Sequence, residues 1–323
     1  MNPYDLIDIL KGHKIYIQTH NFPDPDAMAS AYGLQEFLKQ HGVEASLCYD
    51  GLIDKLSTKR MITTFDMNIQ QKELLTDMTE SDYIVTVDSQ KYNANLTDLI
   101  GDEVACIDHH PTVIDCEYLY KDVRMTGACA SIIASYFYET NTPLNPVVAA
   151  ALAYGIKMDT ADFTRQTTPL DIDMFAFVYK QADVKRLNSM YTNVMEFDDL
   201  KAYAAAIENI KVYGTVGFSY MPFDCPDGLI ATVSDFILAL DVVDVSIIYS
   251  LRKDGIKFSV RSEIAEVDAG KLISRSLQGY GNGGGHHAMA GGFIPKENQD
   301  KLGKHLDYTI QNLFLDTLRT MHK

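Results

Sequence analysis

The sequence predicts an α/β protein in two parts: an N-terminal parallel-sheet domain with helices on both faces, and a smaller C-terminal α/β domain. Three observations lead there. Over about the first 160 residues, short β-branched and apolar runs alternate with helix-like segments, as expected of a sheet buried on both faces. A second strand-and-helix set starts near Thr215. The length, 323 residues, suits two domains of roughly 100–200 residues each.

Taken in order, residues 14–19 read as the first strand and 26–40 as a helix closed near Gly42. Strands follow at 44–49, 83–87 and 104–107, where β-branched and apolar residues dominate. Helices then take over, first at 127–139. Asn145-Pro146 opens another, with a capping residue before proline at the first helical position, and Thr168-Pro169 opens a third in the same way. A polar, helical stretch at 181–213 shows no strand signal and serves as a connector, which sets the domains at 1–180 and 214–323. The second set comprises a strand at 215–221, a helix from Pro226, strands at 245–251 and 256–261, a helix from Asp268, a glycine-rich loop and a last helix from Glu297.

Hydrophobic residues make up 46% and charged residues 22% of the chain, which excludes a disordered protein. The formal net charge is −16, the wrong sign for gripping a long nucleic-acid duplex through many phosphates. Carboxylates that bind cations add to such a total, so a short nucleotide held by metal ions stays compatible with it. The longest apolar-looking stretch, 229–251, is interrupted by Asp235, Asp241 and Asp244, so no membrane span is expected. The N-terminus lacks the pattern of a signal peptide. The five cysteines (Cys48, Cys106, Cys116, Cys129, Cys225) are odd in number and lack CxxC spacing, which fits buried thiols in a reducing compartment and a cytoplasmic protein.

Titratable residues gather at the ends of the expected strands. His20-Asn21-Phe22-Pro23-Asp24-Pro25-Asp26 follows the first strand and leads into a helix, where an open α/β sheet binds ligands. Prolines at 23 and 25 force an extended path that would present His20, Asp24 and Asp26 separately; Asp24 and Asp26 serve equally well as caps of the following helix. Asp88 closes the strand at 83–87, and Asp108-His109-His110-Pro111 closes the one at 104–107. Three consecutive titratable groups are costly to bury without partners, and a cation with an anionic ligand would supply them. Asp159 ends an apolar helix, where the macrodipole disfavours a carboxylate and a metal ion would compensate. His20, Asp24, Asp26, Asp88, His109 and Asp159 thus form a set of oxygen and imidazole donors suited to Mn²⁺ or Mg²⁺. Six ligands are about right for two ions sharing one carboxylate, the clamp used in phosphoryl chemistry.

The order H-N-x-P-D-x-D at 20–26, V-D-S at 87–89, D-H-H-P at 108–111 and G-I-x-x-D-T at 155–160 resembles the DHH phosphoesterase superfamily over roughly residues 10–165. The second half resembles the DHHA1 substrate-binding domain through Phe258-Ser259-Val260-Arg261-Ser262 and Gly283-Gly284-Gly285-His286. Within the superfamily the chain is similar to the oligoribonuclease/pAp-phosphatase branch, the nanoRNases. The resemblance implies a hydrolase using two Mn²⁺ ions, with Mg²⁺ or Co²⁺ as substitutes. His20, Asp24 and Asp88 would hold one ion. Asp26, Asp88, His109 and Asp159 would hold the other, with Asp88 bridging. His110 would face the substrate phosphate, and Asp108 would orient the histidines. In the second domain, Arg261 would fork onto a phosphate, with Gly283, Gly284 and Gly285 admitting an anion close to the backbone beside His286 and His287.

The chain departs from the family pattern at Pro25, where glycine is usual, and at His287, where many relatives carry proline. Gly127-Ala128-Cys129-Ala130 also replaces a Ser/Thr-rich helix start. The expected function is hydrolysis of phosphodiester or phosphomonoester bonds in short oligonucleotides or small nucleotides such as nanoRNA and pAp. Neither a long duplex nor a membrane is an expected partner, and a homodimer is left open. The alternatives are a cyclic-di-AMP or dinucleotide phosphodiesterase, a pyrophosphatase or exopolyphosphatase, and a nucleotide- or metal-sensing module without turnover.

Overall fold

The computed structural model describes residues 2–53, 55–192 and 195–321, in two units, Met1–Val194 and Met195–Lys323. In the first, Asn2 caps α1 (Pro3–Leu10), whose Leu6, Ile7 and Leu10 face the core. Then follow β1 (Ile15–Thr19), α2 (Pro25–Gln40), β2 (Ala45–Tyr49), α3 (Leu56–Thr64), β3 (Ile69–Gln71), β4 (Tyr83–Val87), β5 (Asp102–Asp108) and β6 (Tyr120–Val123). The helices α4 (Cys129–Thr140), α5 (Pro146–Asp159), α6 (Pro169–Tyr179) and α7 (Val184–Ser189) complete the unit. The sheet order is β3-β2-β1-β4-β5-β6 and every pairing is parallel. The chain runs outward from β1 to β3, then restarts at β4 on the other side of β1. The order therefore reverses between β1 and β4, and the crevice beyond their carboxyl ends is where such a sheet accepts ligands.

One face of the sheet buries Ile15, Ile17, Leu47, Val85, Val87 and Ile107 against the helices. Helix α2 passes very close to its neighbours. A Cβ on Gly155 of α5 would lie 2.6 Å from Ala29 Cβ, and one on Gly33 would lie 2.9 Å from Ile133 Cγ2 of α4. Helices are expected on both faces, yet the other face carries Tyr16, Cys48 and Ile84 under Met78, with Leu75 and Leu99 alongside. Loop segments supply that cover. The apolar strip there is too narrow for a helix, because Gln18 and Thr86 alternate with it. β3 and β6 escape the sequence reading because they are short and largely polar.

The second unit holds α8 (Asp199–Glu208), β7 (Lys211–Tyr213), β8 (Val216–Met221), α9 (Asp227–Leu238), β9 (Val245–Leu251), β10 (Gly255–Ser262), α10 (Ala269–Ser276), β11 (Asn282–Gly285), β12 (Met289–Pro295) and α11 (Leu306–Met321). Its sheet, β11-β12-β10-β9-β8-β7, is antiparallel except for β8 with β9. Residues of α10 and α11 fill one face and residues of α8 and α9 the other. In the stretch 181–213, Leu187 and Met190 join the first core and Ala202 and Ala206 join a core of the second unit. Its last three residues form the edge strand β7, too short to leave a pattern.

Two expectations are corrected here. The glycine-rich segment is a strand rather than a loop: β11 pairs with β12, Gly283 opposite Gly292 and Gly284 opposite Gly291. The helix α10 lies against this ribbon so closely that a Cβ on Gly283 would meet Ile273 Cγ1 at 2.9 Å, and one on Gly292 would meet Ile273 Cδ1 at 2.6 Å. The last α-helix starts at Leu306, not Glu297. Lys296–Leu302 is a 3₁₀ helix, ended by Gly303 in the left-handed region at φ +73°. No described helix is long and apolar enough to cross a membrane.

Candidate metal centre

Five chain segments converge at the β1/β4 crevice. His20 follows β1, Asp88 follows β4 and His109 follows β5, while Asp24 and Asp26 stand at the start of α2 and Asp159 at the end of α5. Asp88 leaves its strand with φ +59°, a left-handed turn that aspartate tolerates better than most residues and that recurs where function fixes the backbone. The capping role open to Asp24 and Asp26 is split. The Asp24 carboxylate accepts from the backbone N–H groups of Asp26 and Ala27, capping α2. Asp26 instead accepts from Cys129 N at 2.7 Å and Ala130 N at 2.9 Å. It thereby satisfies the first turn of α4, whose own N-cap, Ala128, has no side chain to do so.

Three groups of three donors result, each with ligand atoms within 4.8 Å of one another: His20, Asp24 and Asp88; Asp26, His109 and Asp159; and Asp88, His109 and His110. Asp88 joins the first two. Its Oδ2 lies 3.6 Å from His20 Nε2 and its Oδ1 3.2 Å from His109 Nε2. His109 Nε2 also faces Asp159 Oδ2 at 3.3 Å and Asp26 Oδ2 at 3.9 Å. The opposite ring nitrogens are bound to backbone carbonyls, His20 Nδ1 to Asn21 O and His109 Nδ1 to Thr126 O. A carbonyl only accepts, so each Nδ1 carries the proton and each Nε2 is aimed at the carboxylates, the arrangement of metal-ligating histidines. Despite this crowding, Asp88 Oδ1 and His109 Nε2 are buried without a hydrogen bond. Such orphaned atoms fit a divalent cation between them, and the oxygen-rich donor set suits Mn²⁺ or Mg²⁺.

The electrostatics describe a site that gathers positive charge. Burial alone would lower the His109 ring, but Asp88, Asp26 and Asp159 outweigh it and push its pKa up to about 11. His20, buried yet facing Asp88 and Asp24, is raised to about 9. Burial favours a neutral Asp88, and the facing histidines override it to hold the carboxyl well below the usual range. Asp26 is driven well upward by burial and by Asp88 and Asp159, and Asp159 is raised to about 6 by burial and Asp88. Cations bound here would replace the protons on these groups.

His110 and Asp108 form a separate pair. The buried Asp108 carboxylate accepts from His109 N at 2.8 Å, His110 Nδ1 at 2.9 Å and Gln90 Nε2 at 2.7 Å. The half-exposed His110 therefore turns its other ring edge outward, and Asp108 raises its pKa. Sequence reasoning misses three residues that hold this geometry. Gln90 clamps Asp108 and the His110 carbonyl. Arg165 binds the Asp159 carboxylate at 3.1 Å and its carbonyl as well, returned to it by a left-handed turn over Ala161, Asp162 and Phe163. The fully buried Asp171 accepts from Gly127 N, Thr168 N and both the Thr168 and Ser131 hydroxyls, tying the segment before α4 to α6. Of these, only Asp171 leaves a sequence signal, as the third residue after Thr168 in a capping box.

The second unit gathers the remaining candidates at one end of its sheet. Arg261 pairs in register with Met289, and Gly285 with Ala290. The Arg261 guanidinium is engaged by Asp235 Oδ1 at 2.6 Å and by Ser259 Oγ, the ion pair common for a strand arginine. Gly284, Gly285, His286 and His287 are exposed, and His287 Nε2 lies 3.0 Å from Ala265 O.

The family description "DHH family, N-terminal domain" matches residues 14–156, and "DHHA1 domain" matches residues 213–312. An uncharacterized protein of Methanocaldococcus jannaschii is 28% identical over 88% of this chain and 59% of its own length. The cyclic-di-AMP phosphodiesterase GdpP of Geobacillus thermodenitrificans is 24% identical over 86% of this chain and 44% of its own. A manganese-dependent inorganic pyrophosphatase of M. jannaschii is 24% identical over 74% of this chain and 75% of its own. This chain thus spans about three fifths or less of the first two relatives. In fold it is similar to an exopolyphosphatase-related protein from Bacteroides fragilis, with a TM-score of 0.75, 18% identity and coverage of 98% of this chain and 97% of that one. With Asp88 linking the His20 and His109 groups inside the first matched segment, and the second match following it in sequence, the chain carries a DHH-family N-terminal domain and a DHHA1 domain.

Proposed function

We propose that this chain is a metal-dependent phosphoesterase that hydrolyses short oligonucleotides or small nucleotides, with nanoRNA and pAp as its substrate class. The observation that carries the reading is the pair of donor triads, His20-Asp24-Asp88 and Asp26-His109-Asp159, linked where Asp88 Oδ1 faces His109 Nε2 at 3.2 Å, both atoms buried without a hydrogen bond. His20, Asp24 and Asp88 would hold one divalent cation, and Asp26, Asp88, His109 and Asp159 the other. Mn²⁺ is the expected ion, in keeping with the similarity to a manganese-dependent inorganic pyrophosphatase. When bound, the ions supply Lewis acidity toward a phosphoryl oxygen and toward water.

The protein's own groups do the rest. Asp108, fixed by Gln90, accepts from His110 Nδ1 and raises the ring's pKa, so the protonated ring can also donate from its outward edge to an oxygen gaining charge. Asp26 keeps the start of α4 and the metal side of α2 in one rigid piece. Arg165 pins Asp159 against drift. Arg261, the 283–285 strand, His286 and His287 would bind a substrate phosphate, with Arg261 exchanging Asp235 for it. The net charge of −16 favours short substrates over long duplexes. Four of the five free cysteines are buried, in keeping with a cytoplasmic setting.

The likeness to a cyclic-di-AMP phosphodiesterase over 86% of the chain supports a second reading, cleavage of cyclic or linear dinucleotides. Turnover of pAp, a dinucleotide, a five-nucleotide RNA, cyclic-di-AMP and pyrophosphate with Mn²⁺ separates these. Mononucleotides from RNA or phosphate from pAp support the first reading, and cyclic-di-AMP cleavage supports the second. No turnover with Mn²⁺ bound would leave a sensing module. For a catalyst, alanine at Asp24 or Asp159 abolishes turnover in a folded protein.

A further inference from the structure

The geometry points to a nucleobase-stacking platform at Phe22, on the β2 side of the metal centre. This inference rests on the nucleotide reading above and narrows it, because a stacking ring serves a base-bearing substrate and does nothing for inorganic pyrophosphate or polyphosphate.

Phe22 stands between the proposed ligands His20 and Asp24, two residues from each, so at most about 7 Å of chain separates it from either. A side chain this large is normally turned inward, yet Phe22 is 60% exposed. Its backbone sits in the left-handed region at φ 57°, which costs a residue other than glycine on the order of 1–2 kcal/mol and persists only where the surroundings impose it. Here they do. Phe22 N donates to Asp50 O, and Asn21 N donates to Asn95 O. The Asn21 side chain is gripped by Thr97 from both ends, through Nδ2 to Thr97 Oγ1 and Oδ1 from Thr97 N. Asp50 in turn accepts from Thr97 Oγ1, Lys72 and Gly51 N.

The ring itself is backed. A Cβ on Gly51 would lie 3.2–3.3 Å from Phe22 Cε1, Cδ1 and Cζ, so one face of the ring lies over a residue whose missing side chain leaves it room. Gly51 is itself left-handed, at φ +80°. The result is an aromatic ring held in a fixed place, seated on backbone and open to solvent, about one nucleotide's reach from the centre that would bind the phosphoryl group. A solitary exposed aromatic needs no explanation, but one strained outward inside a metal-ligand loop does. Stacking of a base on such a ring is worth about 1–3 kcal/mol and tolerates any base, and that suits an enzyme whose substrates differ in sequence.

The test uses the full chain loaded with Mn²⁺ and a dinucleotide containing 2-aminopurine, its linkage a phosphorothioate that resists cleavage. Fluorescence quenching reports stacking directly. Phe22→Leu should abolish the quenching and weaken binding by about 5- to 150-fold, while Phe22→Tyr stays within about twofold of the natural protein. Inhibition of the probe's binding by inorganic pyrophosphate should have the same constant in all three proteins, and Mn²⁺ content should not change. Unaltered dinucleotide affinity in Phe22→Leu would overturn the platform, as would an equal loss for pyrophosphate, which would make Phe22 a brace for the metal loop. Dinucleotide turnover combined with unaltered quenching in Phe22→Leu sinks the platform and spares the nucleotide reading. Quenching that depends on Phe22 without turnover of any nucleotide sinks the hydrolase and spares the platform. If the natural protein binds no dinucleotide, both fail.

Discussion

Replacing Gly155 with alanine sets two opposed effects against each other at one atom. Gly155 lies inside α5, where glycine costs roughly 1 kcal/mol relative to alanine, so propensity alone makes Gly155→Ala stabilising. The added methyl, however, would sit 2.6 Å from Ala29 Cβ of α2 and 3.3 Å from Ala130 Cβ of α4. Carbon atoms rest at about 3.5–4.0 Å, so α5 must retreat from α2 by about 1 Å, and overpacking of this kind costs about 1–3 kcal/mol. The sum is a loss of between about 0 and 2 kcal/mol, or a few degrees in Tm for a chain of this size. The larger consequence falls on the metal centre. Asp159 is one helical turn beyond Gly155 on the same face, and a site of this kind tolerates displacements of only about 0.5 Å. Mn²⁺ affinity should therefore drop at least about tenfold even where the melting temperature scarcely moves. Circular dichroism melts of the metal-free protein and calorimetric Mn²⁺ titration measure the two effects. Gly228→Ala is the control: a Cβ at Gly228 of α9 meets nothing within 4 Å, so it should leave stability unchanged or raised and metal affinity intact. A Gly155→Ala protein that is more stable and binds Mn²⁺ as tightly as the natural one would refute the account of helix spacing.

Four further outcomes follow from the structure. Mn²⁺ must displace protons from His20, raised to about 9, and His109, raised to about 11, so affinity rises with pH, by about tenfold per unit for each proton released between pH 7 and 9. Calorimetry in buffers of different ionisation enthalpy should count about two protons released at pH 7, and none would contradict the electrostatics. In the metal-free protein these raised histidines contribute stability fully below about pH 6.5, and that contribution is lost as pH climbs through 9 toward 11; a melting temperature flat across that range would argue against it. Asp171→Ala strands the Gly127 and Thr168 N–H groups and two hydroxyls, at about 1–3 kcal/mol for each donor left buried and unpaired, so it should unfold at markedly lower denaturant, and an unchanged midpoint would show that water replaces it. Arg261→Ala should raise KM for nucleotides while leaving Mn²⁺ content unchanged; a protein that loses its metal instead would move Arg261 out of substrate binding.

The residues that the fold brings together at the candidate metal centre were legible because chemistry and periodicity coincide in the linear chain. A parallel strand must be apolar to be buried on both faces, so His20, Asp88 and the Asp108-His109-His110 run stand out as the polar residues that end such strands. The Asn145-Pro146 start of α5 was legible for the same local reason, a cap and a proline in sequence. The family resemblance then joined motifs that spacing alone left separate. The second unit was harder to read, because β11 and β12 are rich in glycine, and glycine in a strand resembles a loop until the helix that requires it is in place.

Sequence by itself determined which residue types end the strands and therefore which groups could meet a cation. Tertiary structure alone decided how they are used. Asp26 is a plausible cap of its own helix in sequence, but its carboxylate reaches 103 residues along the chain to Cys129 N. Gln90 and Arg165 look like ordinary polar residues, and Asp171 like a capping-box residue of its own helix, until the fold presents them to Asp108, Asp159 and Gly127. The physical reason is common to all of them. A propensity or a strand period is set by neighbours a few residues away, whereas the partner of a buried polar group is whatever the packed chain brings within about 3 Å, and no local pattern encodes that.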